Sequence, residues 1–267
     1  TLLPIDKIIG RVYPIFAAAL LFMAIGVLVM LYVNMPVLPE IWDGLENTHP
    51  NAEKLPIFPI MFVSIACGAI SGFHATQSPL MARCMKKEKY GRPVFYGAMI
   101  VEGIVALVWA AAATYFFQKN GMGESNAAVI VNDITNSWLG TIGGILAILG
   151  VIAAPITSGD TALRSARLII ADFFNIEQKS IKKRLLICVP MFACTFLLLL
   201  YSLRDAAGFD LIWRYFSWAN QTLSVFTLWA ITVFLVRERK GLYFIITLIP
   251  ALFMTAICAS YICVAPE

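Results

Sequence analysis

Charge is scarce in this chain of 267 residues: Asp, Glu, Lys and Arg together make up 13% of it, about half the share usual in soluble domains. A water-facing surface of ordinary extent is thereby excluded. Histidine is scarcer still. His74 is alone in an apolar segment and His49 falls in a polar loop, so the chain offers no pair of intramembrane axial ligands for a haem. The six cysteines follow neither zinc spacing nor a disulfide framework. Cys67, Cys188, Cys194, Cys258 and Cys263 sit in apolar runs and Cys84 at the edge of one, where free cysteine behaves as a small apolar residue. There is no G-x-G-x-x-G loop, no P-loop lysine and no basic patch interleaved with aromatics, which argues against nucleotide and nucleic-acid partners. No resident cofactor is expected. A charged, apolar and cleavable leader is also missing and the first residue is Thr1, so the chain is expected to be a piece of a longer one.

What is abundant is hydrocarbon. Hydrophobic residues make up 60% of the chain and its mean hydropathy is +0.81. Runs of about 20 apolar residues suffice to cross a bilayer as helices, whereas barrel strands need only about 10 alternating ones. Seven such runs are present: Arg11 to Val33, Leu55 to Leu80, Val94 to Phe117, Leu139 to Thr157, Leu185 to Leu203, Leu211 to Val236 and Gly241 to Val264. The expected fold is all-α, a polytopic membrane bundle of about seven helices forming a single transmembrane domain over 1–267. Basic residues alternate between loops. Lys7 and Arg11, the cluster from Arg83 to Arg92, the stretch from Arg164 to Arg184, and Arg237, Arg239 and Lys240 fall on one side. Glu40, Asp43, Glu46, Glu53, Glu124 and Asp133 fall on the other. The positive-inside rule then places the N-terminus in the cytoplasm and the C-terminus outside.

Two of the seven runs are expected to be broken or irregular. The second contains S-G-F-H-A-T-Q-S-P from Ser71 to Pro79, and the fourth contains P-I-T-S-G-D from Pro155 to Asp160 before running on as one long tilted helix. Irregular backbone at membrane depth is tolerated only where protein or a water-filled cavity covers it. Paired interruptions therefore point to the solute site of a secondary transporter. The stretch 118–138 is too short to cross and apolar enough to lie against the protein, as an outer lid or re-entrant segment.

Around the first interruption, Ser71, Gly72, His74, Thr76 and Gln77 are candidate substrate ligands, because free N–H groups at the start of a half-helix favour a carboxylate. Asn220 and Gln221, in the polar cluster of the sixth run, are candidates too, the alternative being hydrogen bonds between helices. His74 either carries a proton, as imidazole can near neutrality, or bonds a neighbouring helix. Glu102 is expensive in a span unless neutral or paired, which makes it either a proton carrier or a structural hydrogen-bond partner. Asp160 has Arg164 at i+4, a spacing for an ion pair; near the interface this is a snorkelling pair, and deeper it is a gate or proton relay. Thr157 and Ser158 supply hydroxyl oxygens suited to a small cation such as sodium, or else pack their helix. A Ser71 and His74 nucleophile and base would lack an oxyanion-hole motif and a third orienting group, so no covalent catalysis is expected.

The segments A-C-G-A-I-S-G-F-H-A-T-Q-S-P-L-M-A-R-C from Ala66 to Cys84, I-T-S-G-D-T-A-L-R-S-A-R-L-I-I-A-D from Ile156 to Asp172 and W-R-Y-F-S-W-A-N-Q-T-L from Trp213 to Leu223 resemble the carbon starvation protein A family. The resemblance implies a bacterial or archaeal inner-membrane transporter of peptides, with relatives that take up pyruvate with protons. It implies missing N-terminal helices of the same protein that complete the site. It also implies likeness to the amino acid-polyamine-organocation transporters, whose LeuT-like fold has two inverted repeats, this chain matching the second half. By that likeness Ser71 to Gln77 line the substrate site, and Thr157 and Ser158 stand near a cation site. The expected function is secondary import of peptides or small carboxylates with H+ or Na+ during carbon starvation. The alternative is a membrane-bound starvation sensor or scaffold without transport.

Overall fold

In a computed structural model the described residues are 5–40, 42, 46–47, 52–53, 55–121, 127–204 and 206–265. Side-chain surroundings are described for these except at 5–13, 67–69, 127–128, 146–148, 151–155, 157, 206–207 and 209–210. Among the described residues eight α-helices form: α1 (Ile5–Asn34), α2 (Phe62–Ala69), α3 (Gly72–Cys84), α4 (Ala98–Asn120), α5 (Ala127–Phe173), α6 (Ile181–Arg204), α7 (Ala206–Arg237) and α8 (Phe244–Val264). Among the described residues, five helices are long and apolar enough to span a bilayer: those over Pro14–Asn34, Glu88–Asn120, Ile181–Arg204, Leu211–Arg237 and Gly241–Val264. Large apolar side chains stand exposed along them. Ile104 and Leu107 on α4, Leu197 and Leu198 on α6, and Ile246 and Ile249 on α8 are examples. Exposed apolar surface on this scale is unsustainable in water, and in lipid it costs nothing. The chain is a multi-pass membrane protein built as a helix bundle.

The contacts divide the chain into two units, Thr1–Leu45 with Ile100–Cys188, and Glu46–Met99 with Val189–Glu267. In the first unit α1 packs along α5. Its core joins Val27 of α1, Val108 and Ala112 of α4 and Ile134 of α5. Small residues set the spacing: a Cβ on Gly26 would meet Leu139 Cδ1 at 3.0 Å and one on Gly150 would meet Leu20 Cδ2 at 2.9 Å. This is the close helix approach that small residues permit in membranes. α5 closes with Asn175 at a φ of 52°, after which the Ile176 N–H donates back to the Ala171 carbonyl at 2.8 Å.

α5 also corrects the position of one expected interruption. Residues 155–160 are helical, and the only non-helical residue inside α5 is Gly140, with φ 64° and ψ −164°. Pro155 does not end the helix because long apolar membrane helices tolerate the single lost N–H bond, which neighbouring groups can compensate. Among the described residues, α-helical backbone is interrupted in the second apolar run at Ile70 and Ser71 and in the fourth at Gly140. Of the stretch 118–138, residues 122–126 lie outside the described ones. From Ala127 to the bend it is helix, and Ile134 and Thr135 there are buried.

In the second unit α7 and α8 pair along their lengths, and α2 and α3 pack on α7. Val63 and Ala66 of α2 share a core with Met254, Ile257 and Tyr261 of α8. Polar side chains tie the α7–α8 seam. Thr232 Oγ1 donates to Thr247 Oγ1 at 2.8 Å and Trp229 Nε1 to Thr255 Oγ1 at 3.1 Å. Bonds of this kind hold membrane helices together where hydrocarbon gives no preference for one helix over lipid.

A broken helix held by a polar face

α2 stops at Ala69 because Ile70 (φ −138°, ψ 71°) and Ser71 (φ −88°, ψ 131°) are not helical. The sequence supplies reasons for the stop. Ser71 is a good N-cap, and Gly72 removes the side chain that would hinder a neighbouring backbone. A Cβ on Gly72 would overlap the Asn220 carbonyl oxygen and come within 2.8 Å of Leu223 Cβ. α7 and the start of α3 are thus in backbone contact.

The freed N–H groups of α3 are satisfied from two directions. The Phe73 N–H donates to Ser71 Oγ at 3.2 Å and to Asn220 Oδ1 at 2.9 Å. The His74 N–H donates to the Ser71 carbonyl at 3.1 Å. Asn220 Nδ2 in turn donates to Ser71 Oγ at 3.0 Å, so a single amide side chain on α7 grips both the cap residue and the first turn. Gln221, fully buried, reaches the other half of the break: its Nε2 donates to the Val63 carbonyl of α2 at 3.2 Å. Two adjacent residues of one helix therefore hold the two halves of the interrupted one.

These two belong to a buried polar face. Ser217, Asn220, Gln221 and Ser224 recur at i, i+3, i+4 and i+7 and are all buried, the spacing of one helix stripe. Ser224 Oγ donates to the Gln221 carbonyl at 2.6 Å. Ser217 and Ser224 are not among the sequence candidates, although the spacing that unites them with Asn220 and Gln221 is present in the sequence. On α3, Thr76 Oγ1 donates to the Phe73 carbonyl at 2.8 Å and Gln77 Nε2 to Thr76 Oγ1 at 3.2 Å. His74 is half-buried in the first turn of the same helix.

The other candidates belong to the first unit. Glu102 lies on an exposed face of α4. Asp160 Oδ2 accepts from Arg164 Nη2 at 3.0 Å in the expected i, i+4 pair, with both side chains partly exposed. Ser158 is exposed, and the side chain of Thr157 lies outside the described residues. Among the described residues no group of three or more His, Cys, Asp or Glu side chains is placed to hold a metal ion. The second unit thus brings Ser71, Gly72, Asn220 and Gln221 together around one break, with His74, Thr76 and Gln77 following on α3.

Comparison with known proteins adds the family. The chain matches the carbon starvation protein CstA family over residues 14–138 and 120–260. It is similar to the peptide transporter CstA of Bacillus subtilis, with 29% identity over 314 aligned positions covering 94% of this chain and 52% of that protein. A membrane protein of Haemophilus influenzae is 45% identical over 134 residues, covering 45% of this chain and 36% of that protein. The pyruvate/proton symporter BtsT of Escherichia coli is 37% identical over 100 residues, 35% of this chain and 14% of that protein. The chain spans about half the length of the Bacillus relative. The 314 aligned positions exceed the 267 residues here, so that relative carries residues within the match that have no counterpart in this chain. No solved structure matches.

Proposed function

The chain belongs to the carbon starvation protein CstA family, and from that premise we propose that it is the site-bearing part of a secondary transporter that imports peptides or small carboxylates such as pyruvate with a coupled cation. The observation that carries the reading is the break at Ile70 and Ser71, opposed by the buried polar face of α7. Irregular backbone within a membrane segment is costly, and it is kept where a solute must be met. The names of the relatives support transport of peptides and of pyruvate with protons by those proteins.

In the proposed mechanism a substrate carboxylate binds at the start of α3, where the helix dipole and the first N–H groups favour negative charge. Ser71, Gly72, His74, Thr76 and Gln77 line that position. The Phe73 N–H is held by Asn220 Oδ1 in this conformation, so substrate takes over a bond that Asn220 makes, while Gln221 keeps α2 in place. His74, Glu102 and Asp160 are the proposed proton-coupling residues, and Thr157 and Ser158 the proposed oxygen donors to Na+ if sodium is the coupled ion. Alternating access proceeds without covalent chemistry, with α5 rocking against N-terminal helices that complete the protein.

The test is uptake of labelled pyruvate and dipeptides into proteoliposomes by the full-length protein, under imposed proton or sodium gradients. Flux with one pairing identifies substrate and ion together. Absence of flux with every pairing, in vesicles holding folded protein, replaces the transporter with a starvation sensor or scaffold. His74→Ala is expected to impair uptake while leaving membrane insertion intact, and unchanged pH dependence of uptake in that variant removes His74 from the coupling.

A further inference from the structure

A second groove opens at the end of the α7–α8 pair opposite the turn that joins them, its Trp218 and Tyr261 sharing a core with α2 and Ile70. This groove of about 260 Å³ is lined by Leu211, Arg214, Tyr215 and Trp218 of α7 and by Tyr261, Ile262 and Ala265 at the end of α8. The α7 residues recur at i, i+3, i+4 and i+7, one stripe of the helix. The groove has a fixed floor: Trp218 Nε1 donates to the Cys258 carbonyl at 3.2 Å, and Tyr261 is buried. Its rim is open, with Tyr215 exposed and Arg214 half-buried.

The composition of this groove selects the kind of occupant. Most of its lining is apolar, which a free small anion would not use. Among the described lining residues the one full charge is the guanidinium of Arg214, whose five N–H donors let it keep a protein partner and still bond a phosphate. Tyrosine and tryptophan at the end of a span mark the headgroup level of a bilayer. By length and composition one span runs from Leu211 and the other to Val264, which would put the groove where headgroups meet acyl chains. The opposite ends of the same two helices are joined by Arg237, Arg239 and Lys240, a basic turn that assigns this end to the outer leaflet.

We propose that the groove between α7 and α8 binds a glycerophospholipid of the outer leaflet, its phosphate on Arg214 and its upper acyl chain along Leu211, Trp218 and Ile262. This goes beyond transport: the lipid would brace the helix that carries Asn220 and Gln221.

The experiment is native mass spectrometry of the full-length protein after delipidation and titration with phosphatidylglycerol, with glycerol phosphate as the water-soluble competitor. Wild type is expected to retain one phospholipid that glycerol phosphate at millimolar concentration does not displace. Arg214→Gln is expected to weaken its binding about tenfold, the loss of one charge-assisted bond, and Ile262→Trp to abolish it by filling the groove. Unfolding temperature and elution volume verify that each variant is folded, and the two changes reach the site by independent routes. Equal retention by wild type and both variants overturns the proposal, as unspecific annular lipid would give that result. Displacement by glycerol phosphate overturns it in favour of a free-anion site. A wild type that retains no phospholipid overturns it as well.

Discussion

The two interruptions of helical backbone, at Ile70 and Ser71 in one unit and at Gly140 in the other, are made by different means. The first is a polar device. Its freed N–H groups are capped by Ser71 and by Asn220 from another helix, and its flank needs Gly72 because a backbone lies against it. The second is a conformational device. Gly140 adopts φ 64° and ψ −164°, a region that only glycine enters without strain, and a Cβ there would meet nothing within 4 Å. One break is fastened to its neighbours and the other bends in open space. The polar one therefore fastens α2 and α3 to α7, and the glycine one changes a helix's direction.

The largest effect that can break this comparison comes from Gly72→Val. Its Cβ would overlap backbone of α7, which cannot move aside as a flexible side chain can. A loss of about 3 kcal/mol is expected, read as a lowered unfolding temperature in detergent together with lost uptake. A Gly72→Val protein as stable as wild type would show that α3 and α7 are not in backbone contact. Next comes Gly140→Ala, for which no contact is at stake and the cost is the backbone conformation alone, about 1–3 kcal/mol. Unchanged stability would mean that the helix can run straight through position 140.

Asn220→Ala separates the two interruptions more finely. It removes one acceptor from the Phe73 N–H and the donor to Ser71 Oγ, but leaves Ser71 as a cap. About 1 kcal/mol is expected. Because both side chains serve the same N–H, the loss in Ser71→Ala combined with Asn220→Ala should exceed the sum of the single losses. Strict additivity in that double-mutant cycle would mean that the two caps act independently.

The polar break was legible in place but not in extent, since only Ile70 and Ser71 leave the helix while Gly72 to Pro79 of the expected interruption is helical, and the glycine bend was not legible at all. A run such as S-G-F-H-A-T-Q-S-P cannot be mistaken for lipid-facing helix, since hydroxyl, amide and imidazole groups need partners in hydrocarbon. Gly140, by contrast, stands near Gly143, Gly144 and Gly150 in an apolar run, and nothing local distinguishes the glycine that bends from those that pack against neighbouring side chains. The ion pair of Asp160 and Arg164 was readable because i, i+4 spacing acts within one helix. The hold of Asn220 on Ser71 and Phe73 was not, because it spans 149 residues of chain and depends on which face of α7 meets α3. Asn220 and Gln221 could be picked out as polar residues in an apolar run, while their partners came only with the fold.

Pro155 and Gly159 provide the smallest effect and the finest test, because composition places an interruption where the backbone is helical. A Cβ on Gly159 would meet nothing within 4 Å. In a continuous helix, replacing glycine by alanine removes backbone entropy from the unfolded chain and adds helix propensity, a gain of about 0.5–1 kcal/mol. Gly159→Ala is therefore expected to raise the unfolding temperature slightly, in contrast to every substitution at the other two positions. A fall of similar size, or loss of uptake at unchanged stability, would show that the helix opens at residues 155–160 in another state of the transport cycle. That outcome would place the polar and conformational devices together in a single segment, beside the hydroxyls of Thr157 and Ser158, and would strengthen their proposed part in cation binding.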